Sequence, residues 1–178
     1  MKDDTKKKRG LLACFIIIIG ILILGVGGFF LYEGIPDNKL EVKRVTYMVH
    51  SGDTPELYIY VITPESVKYY DIYPTSSGQY DWFAGELPPE DEYTLEEYDI
   101  SEQAWTNMEN VFKRVNFMNL PEEIKGGDAF DGSSRYIQVE TADGKHISGG
   151  YIAGDGIGPT NTRFKRAVEA IGLAINNN

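Results

Sequence analysis

Leu11 to Tyr32 reads LLACFIIIIGILILGVGGFFLY, a run without one charged side chain. At about 1.5 Å of helical rise per residue such a run reaches roughly 33 Å, against a bilayer hydrocarbon core of about 30 Å. The spacing predicts a transmembrane helix over 11–32. As no second run of this kind follows, the rest of the chain is expected on one side of a membrane.

The flanks orient the helix. Lys2, Lys6, Lys7, Lys8 and Arg9 precede it, with Asp3 and Asp4 the acids there. The positive-inside rule makes residues 1–10 a basic cytoplasmic N-terminus and places the C-terminal part outside the cell. A cleaved secretory signal is the competing reading, with Gly25-Val26-Gly27 as a small-x-small site. The apolar run continues past it through Phe29, Phe30 and Leu31 to an interfacial Tyr32, which favours a retained, single-pass signal-anchor. Leu11-Leu12-Ala13-Cys14 has the look of a lipobox, but it opens the apolar segment where a lipobox closes one. Cys14 is the only cysteine, so no internal disulfide and no cysteine metal cluster can form.

Beyond the helix the chain carries 12 bases and 25 acids, an excess of 13 negative charges. Nucleic acid and anionic lipid would be repelled by such a domain, and cationic peptides, cations or cell-wall polycations attracted, while plain solubility is the other reading of the same charge and the one favoured. Glu33 to Glu41 contains Gly34, Pro36, Asp37 and Asn38 without periodicity and reads as a linker over 33–41. Residues 42–178 are then one extracytoplasmic domain of a length that supports a core.

Within it, Val45, Tyr47 and Val49 alternate with Thr46, Met48 and His50, predicting a strand. Leu57 to Ile62 is apolar on both faces and belongs in a sheet centre. Val67 to Tyr73 completes a meander, and Tyr93 to Ile100 predicts a fourth strand at an edge that keeps its carboxylates wet. Ser101 is a good N-cap for a helix whose stripe is Trp105, Met108, Val111, Phe112 and Val115. Arg135 to Thr141 and His146 to Ile152 flank Asp143-Gly144, a hairpin signal. A last helix carries Phe164, Val168, Ile171 and Ile175 on one face, with Thr160 or Asn161 as its cap. The fold class expected is α+β: an antiparallel sheet of five to six strands with two helices on one face.

Recognisable chemistry is sparse. His50 and His146 lie in different strands, and Ser51 beside His50 faces the opposite way on a strand, with no G-x-S-x-G in the chain. Zinc spacings are missing, and Gly154 to Pro159 lacks both the third glycine of a dinucleotide loop and the Lys-Ser/Thr pair of a Walker loop. An EF-hand aligned on Gly132 would put Gly127 and Ala129 at ligand positions. A loose calcium site among the acids between Asp81 and Asp99 stays open beside their reading as a solvated segment. No catalytic residue, metal or cofactor is expected, and no enzyme.

Aromatics are the remaining anomaly. Tyr58 and Tyr60 share one face of the second strand, and with Tyr69 and Trp82 they make the candidate ligand face, suited to a peptide or glycan. The alternative is that cross-strand tyrosines stiffen a sheet whose other face holds the helices.

The layout of a strand meander, a helix followed by LPEEI, and the DGSSRYIQV hairpin before a short strand and terminal helix resembles small bacterial extracytoplasmic domains. It is also similar, over about Val42 to Ile175, to emfourin, a cystatin-like inhibitor of thermolysin-type metalloproteases. The resemblance implies a binding module and transfers no inhibitory residue. The function expected is a membrane-anchored extracellular domain binding a protein, peptide or cell-envelope component. A metalloprotease inhibitor and an enzyme without a recognisable motif are the alternatives.

Overall fold

The computed structural model describes residues 36–52, 56–73, 81, 83–127 and 132–176. Six strands form one antiparallel sheet: β1 (Val42–His50), β2 (Leu57–Ile62), β3 (Ser66–Ile72), β4 (Tyr93–Asp99), β5 (Ser134–Thr141) and β6 (Lys145–Tyr151), in the order β4-β3-β2-β1-β5-β6. Two helices, α1 (Glu102–Arg114) and α2 (Pro159–Asn176), pack on one face, so the domain is α+β as its periodicities predict. The membrane helix expected over 11–32 lies outside the described residues. Among those residues no helix is long and apolar enough to cross a membrane.

Strand parity decides what each face holds. Val45 pairs with Ile62 and Ile62 with Val67, and all three are fully buried beneath the helices with Ile137 and Val139 of β5. Met108, Phe112, Phe164 and Ile171 supply the helical side of this core. Burying one such side chain is worth roughly 1.5–3 kcal/mol, which is what holds the layers together. Ser101 Oγ accepts from Ala104 N at 3.2 Å, the expected cap of α1. The last helix starts one to two residues earlier than Thr160 or Asn161, because Pro159 fits the first helical position, where a missing N–H costs nothing. Asn161 is buried instead: its Oδ1 accepts from Gly154 N and its Nδ2 donates to Lys125 O, both at 2.9 Å.

The linker expected over 33–41 is in part structural. Asp37 N donates to Lys113 O at 2.9 Å, and Leu40 joins the core.

On the far face, Leu57, Ile59, Tyr70 and Ile72 make a second, smaller apolar cluster. Phe83 meets Tyr136 of β5 edge-on, ring centres 6.4 Å apart, so the acidic connection between β3 and β4 reaches back across this face. β4 is an edge strand, as expected. The other edge, β6, is shielded by residues 122–124, with Ile124 N donating to Gly149 O and Gly149 N to Glu122 O. Close approach explains the glycines there: a Cβ on Gly149 would lie 2.2 Å from Arg135 O, and one on Gly150 2.6 Å from Ile124 O.

Candidate functional site

The tyrosines assemble across three strands. Register places Tyr47 of β1 opposite Tyr60 of β2, and Tyr60 opposite Tyr69 of β3, while Tyr58 is opposite Val49 and Asp71. The rings stack in sequence: Tyr47 to Tyr60 at 6.1 Å, Tyr60 to Tyr69 at 4.8 Å, and Tyr69 to Tyr58 at 6.3 Å between centres. Tyr47 is buried and the other three half-buried. Of the expected face, Tyr58, Tyr60 and Tyr69 are thus brought together, and Trp82 lies outside the described residues.

One expectation is corrected. The ladder is not on the face opposite the helices; it continues the helix-covered face, because Tyr60 is two residues from the buried Ile62 and shares its parity. Tyr60, Tyr98 and Val49 pack against the main core from its margin. The tyrosines are where helical cover runs out: Tyr47 belongs to the core, while Tyr58, Tyr60 and Tyr69 are only half-buried.

Carboxylates lie among them. Asp71 and Glu96 share this face through the pairs Tyr58 with Asp71 and Tyr69 with Glu96. Tyr58 donates its hydroxyl to Glu56 at 2.7 Å, and Tyr73 donates to Asp71 Oδ2 at 3.1 Å. The other oxygen, Asp71 Oδ1, is buried and has no hydrogen-bond partner among the described residues. The hydrogen bond to Glu56 pushes the Tyr58 phenol up to about 12. Burial, then Asp71, raises Tyr60 and Tyr69, and burial raises Tyr98. The phenols therefore stay neutral donors beside fixed anions.

Sequence reasoning missed Tyr47, Asp71, Glu56 and Glu96 as parts of this face. The signal for Tyr47 was its parity with Val45, and for Asp71 its spacing of two from Tyr69.

The histidines stay apart. His50 is exposed at the end of β1, whereas His146 Nε2 is 2.8 Å from Leu120 O and its ring meets Phe117 edge-on. Asp155 in the glycine-rich loop pairs with Arg135 at 3.1 Å. Among the described residues no group of three or more His, Cys, Asp or Glu is arranged to hold a metal ion. A cavity of about 570 Å³ is a largely apolar groove between α1 and α2, lined by Met108, Val111, Ala170 and Leu173 together with Arg114 and Arg166. It contains no nucleophile paired with a base. Comparison with protein-family models and with curated proteins finds no match.

Proposed function

We propose that the chain is a single-pass membrane protein, anchored by residues 11–32 with the N-terminus cytoplasmic, whose extracellular domain is a non-catalytic binding module. The observation that carries the binding reading is the four-ring stack of Tyr47, Tyr60, Tyr69 and Tyr58, the last three of them half-buried, flanked by Glu56, Asp71 and Glu96. Tyrosines held in this way offer rigid apolar area with little rotamer entropy left to lose, together with donors at the rim. The partner is a protein, peptide or envelope component.

Affinity capture from envelope extracts with the full chain tests this, comparing wild type with Tyr58→Ala/Tyr60→Ala. A partner held by wild type and lost by the double variant supports the face, and equal recovery removes it. If the partner is a metalloprotease, slowed proteolysis on addition of the chain would place it with the inhibitors. Protease added to intact cells checks the topology: digestion of the domain is expected, and protection until lysis overturns the outward placement.

A further inference from the structure

Charge is not spread evenly over this acidic domain. Helices α1 and α2 hold five of the 12 bases of residues 33–178 but three of their 25 acids, so the helical layer is positive while the rest of the domain is strongly negative. Of those three acids Glu109 is already engaged, accepting from Lys113 Nζ at 2.9 Å and from Val42 N at 3.0 Å. The bases gather at one end. Arg163 bonds the carbonyls that follow α1, which sets the start of α2 beside the finish of α1 and brings Lys113, Arg114, Lys165 and Arg166 to the same end of the layer.

The groove between the helices includes that end, with Arg114 and Arg166 in its otherwise largely apolar lining. Arg114 is exposed and has no ion pair among the described residues. Leu173 is 64% exposed, an apolar side chain that the fold leaves uncovered beside an apolar groove. Glu169 is the acid in the lining, so its ionic side chains are positive on balance. The chain also enters the domain at this end of α1, where Asp37 N donates to Lys113 O at 2.9 Å. Asp37 is five residues beyond Tyr32, a reach of at most about 18 Å. With residues 11–32 in the bilayer, the basic end of the helical layer is held close to the membrane surface.

We propose that the groove between α1 and α2 seats an anionic phospholipid of that membrane, its phosphate on Arg114 and Arg166 and an acyl chain along Met108, Val111, Ala170 and Leu173. This rests on the anchor proposed above and adds a second attachment to it. The domain's net charge opposes an anionic surface, but a tether lets it turn its positive layer to the lipid, and screening over about 8–10 Å makes the nearest layer decisive. A guanidinium suits phosphate because its planar fork donates two bonds at once. Free phosphate would leave the apolar lining uncovered, and a zwitterionic lipid brings its own cation to the arginines.

The experiment places p-benzoylphenylalanine in the full chain, Leu173→p-benzoylphenylalanine, reconstituted in phosphatidylcholine vesicles with a minor share of phosphatidylglycerol. After irradiation, mass spectrometry identifies the adducts. Phosphatidylglycerol is expected to be captured about tenfold beyond its share, as two arginines at an anionic surface predict. Arg114→Gln/Arg166→Gln should abolish the preference, and Arg114→Lys/Arg166→Lys, which keeps the charge, should retain most of it. Lys68→Gln, paired with Glu97 across the sheet from the helices, should change it less than about twofold. The probe at Leu95→p-benzoylphenylalanine, on that same far face, should capture no lipid. Capture of the two lipids in proportion to their shares, or equal capture at 95 and 173, overturns the proposal. So does an adduct to a second copy of the chain, which would assign the groove to self-association. Release of the chain from the vesicles by alkaline carbonate sinks the anchor and the docking with it, whereas a chain that stays in the vesicles without a lipid adduct at 173 sinks the docking alone.

Discussion

Thr46 and Gln138 face each other across β1 and β5 on the far side of the sheet, 1% and 0% exposed. Thr46 Oγ1 and both amide atoms of Gln138 have no hydrogen-bond partner among the described residues. Polar atoms buried in this way forgo their hydration without recovering it, whereas apolar groups of the same shape lose nothing. Thr46→Val and Gln138→Met are therefore expected to stabilise the domain, each by about 1 kcal/mol. The check is the urea midpoint, which should rise with an unchanged slope. A fall would mean that these atoms have a partner the described residues do not supply.

At the level of elements, α1 is closed at both ends by side chains far apart in sequence. Ser101 caps its start, and Arg163 of α2 caps its finish: Nε donates to Val115 O at 2.7 Å and Nη2 to Asn116 O at 2.9 Å. The cation also sits where the helix dipole is negative. Arg163→Met keeps most of the stem and removes both bonds, so a loss of about 2–3 kcal/mol is expected. Arg163→Lys should recover less than half of it, because one ammonium cannot reproduce a planar fork across two carbonyls. Thermal melts of the three proteins decide the point; equal stability of Lys and Arg would show that charge alone matters.

The Ser101 cap was legible beforehand because it is local, as were the alternation of β1, the Asp143-Gly144 hairpin and the edge position of β4. Arg163 was not: its partners are 48 and 47 residues away, and nothing in the periodicity of α2 marks it out. The candidate face was half legible for the same reason. Parity put Tyr58 and Tyr60 together, but whether their face is covered depended on how far the helices reach over the sheet. That is set by packing. Phe83 on Tyr136 is a similar case, since an acidic stretch with Pro88 and Pro89 carries no period to show that it folds back across β5.

For the molecule as a whole, the ladder couples three strands to the excess of negative charge. Tyr47, Tyr58, Tyr60, Tyr69, Tyr73 and Tyr98 all have phenols raised above 10.0, Tyr58 and Tyr73 first by their hydrogen bonds to Glu56 and Asp71, the others first by burial. A raised phenol means that the folded chain holds its proton longer than the unfolded chain does. Between the two values the unfolded state binds fewer protons, so stability falls as pH rises. The contribution is intact below about pH 10 and is lost progressively toward pH 12 and above. Each phenolate formed also adds to a domain already rich in anions, which steepens the fall. The expected result is a thermal midpoint that drops sharply on this alkaline limb, with near-ultraviolet absorbance showing these tyrosines ionising late, together with unfolding. Tyr60→Phe/Tyr69→Phe keeps the stacked rings and removes two of the late protons, so its midpoint should fall less steeply over the same range. An alkaline limb as steep in that variant as in wild type would assign the loss to general charge repulsion rather than to the ladder.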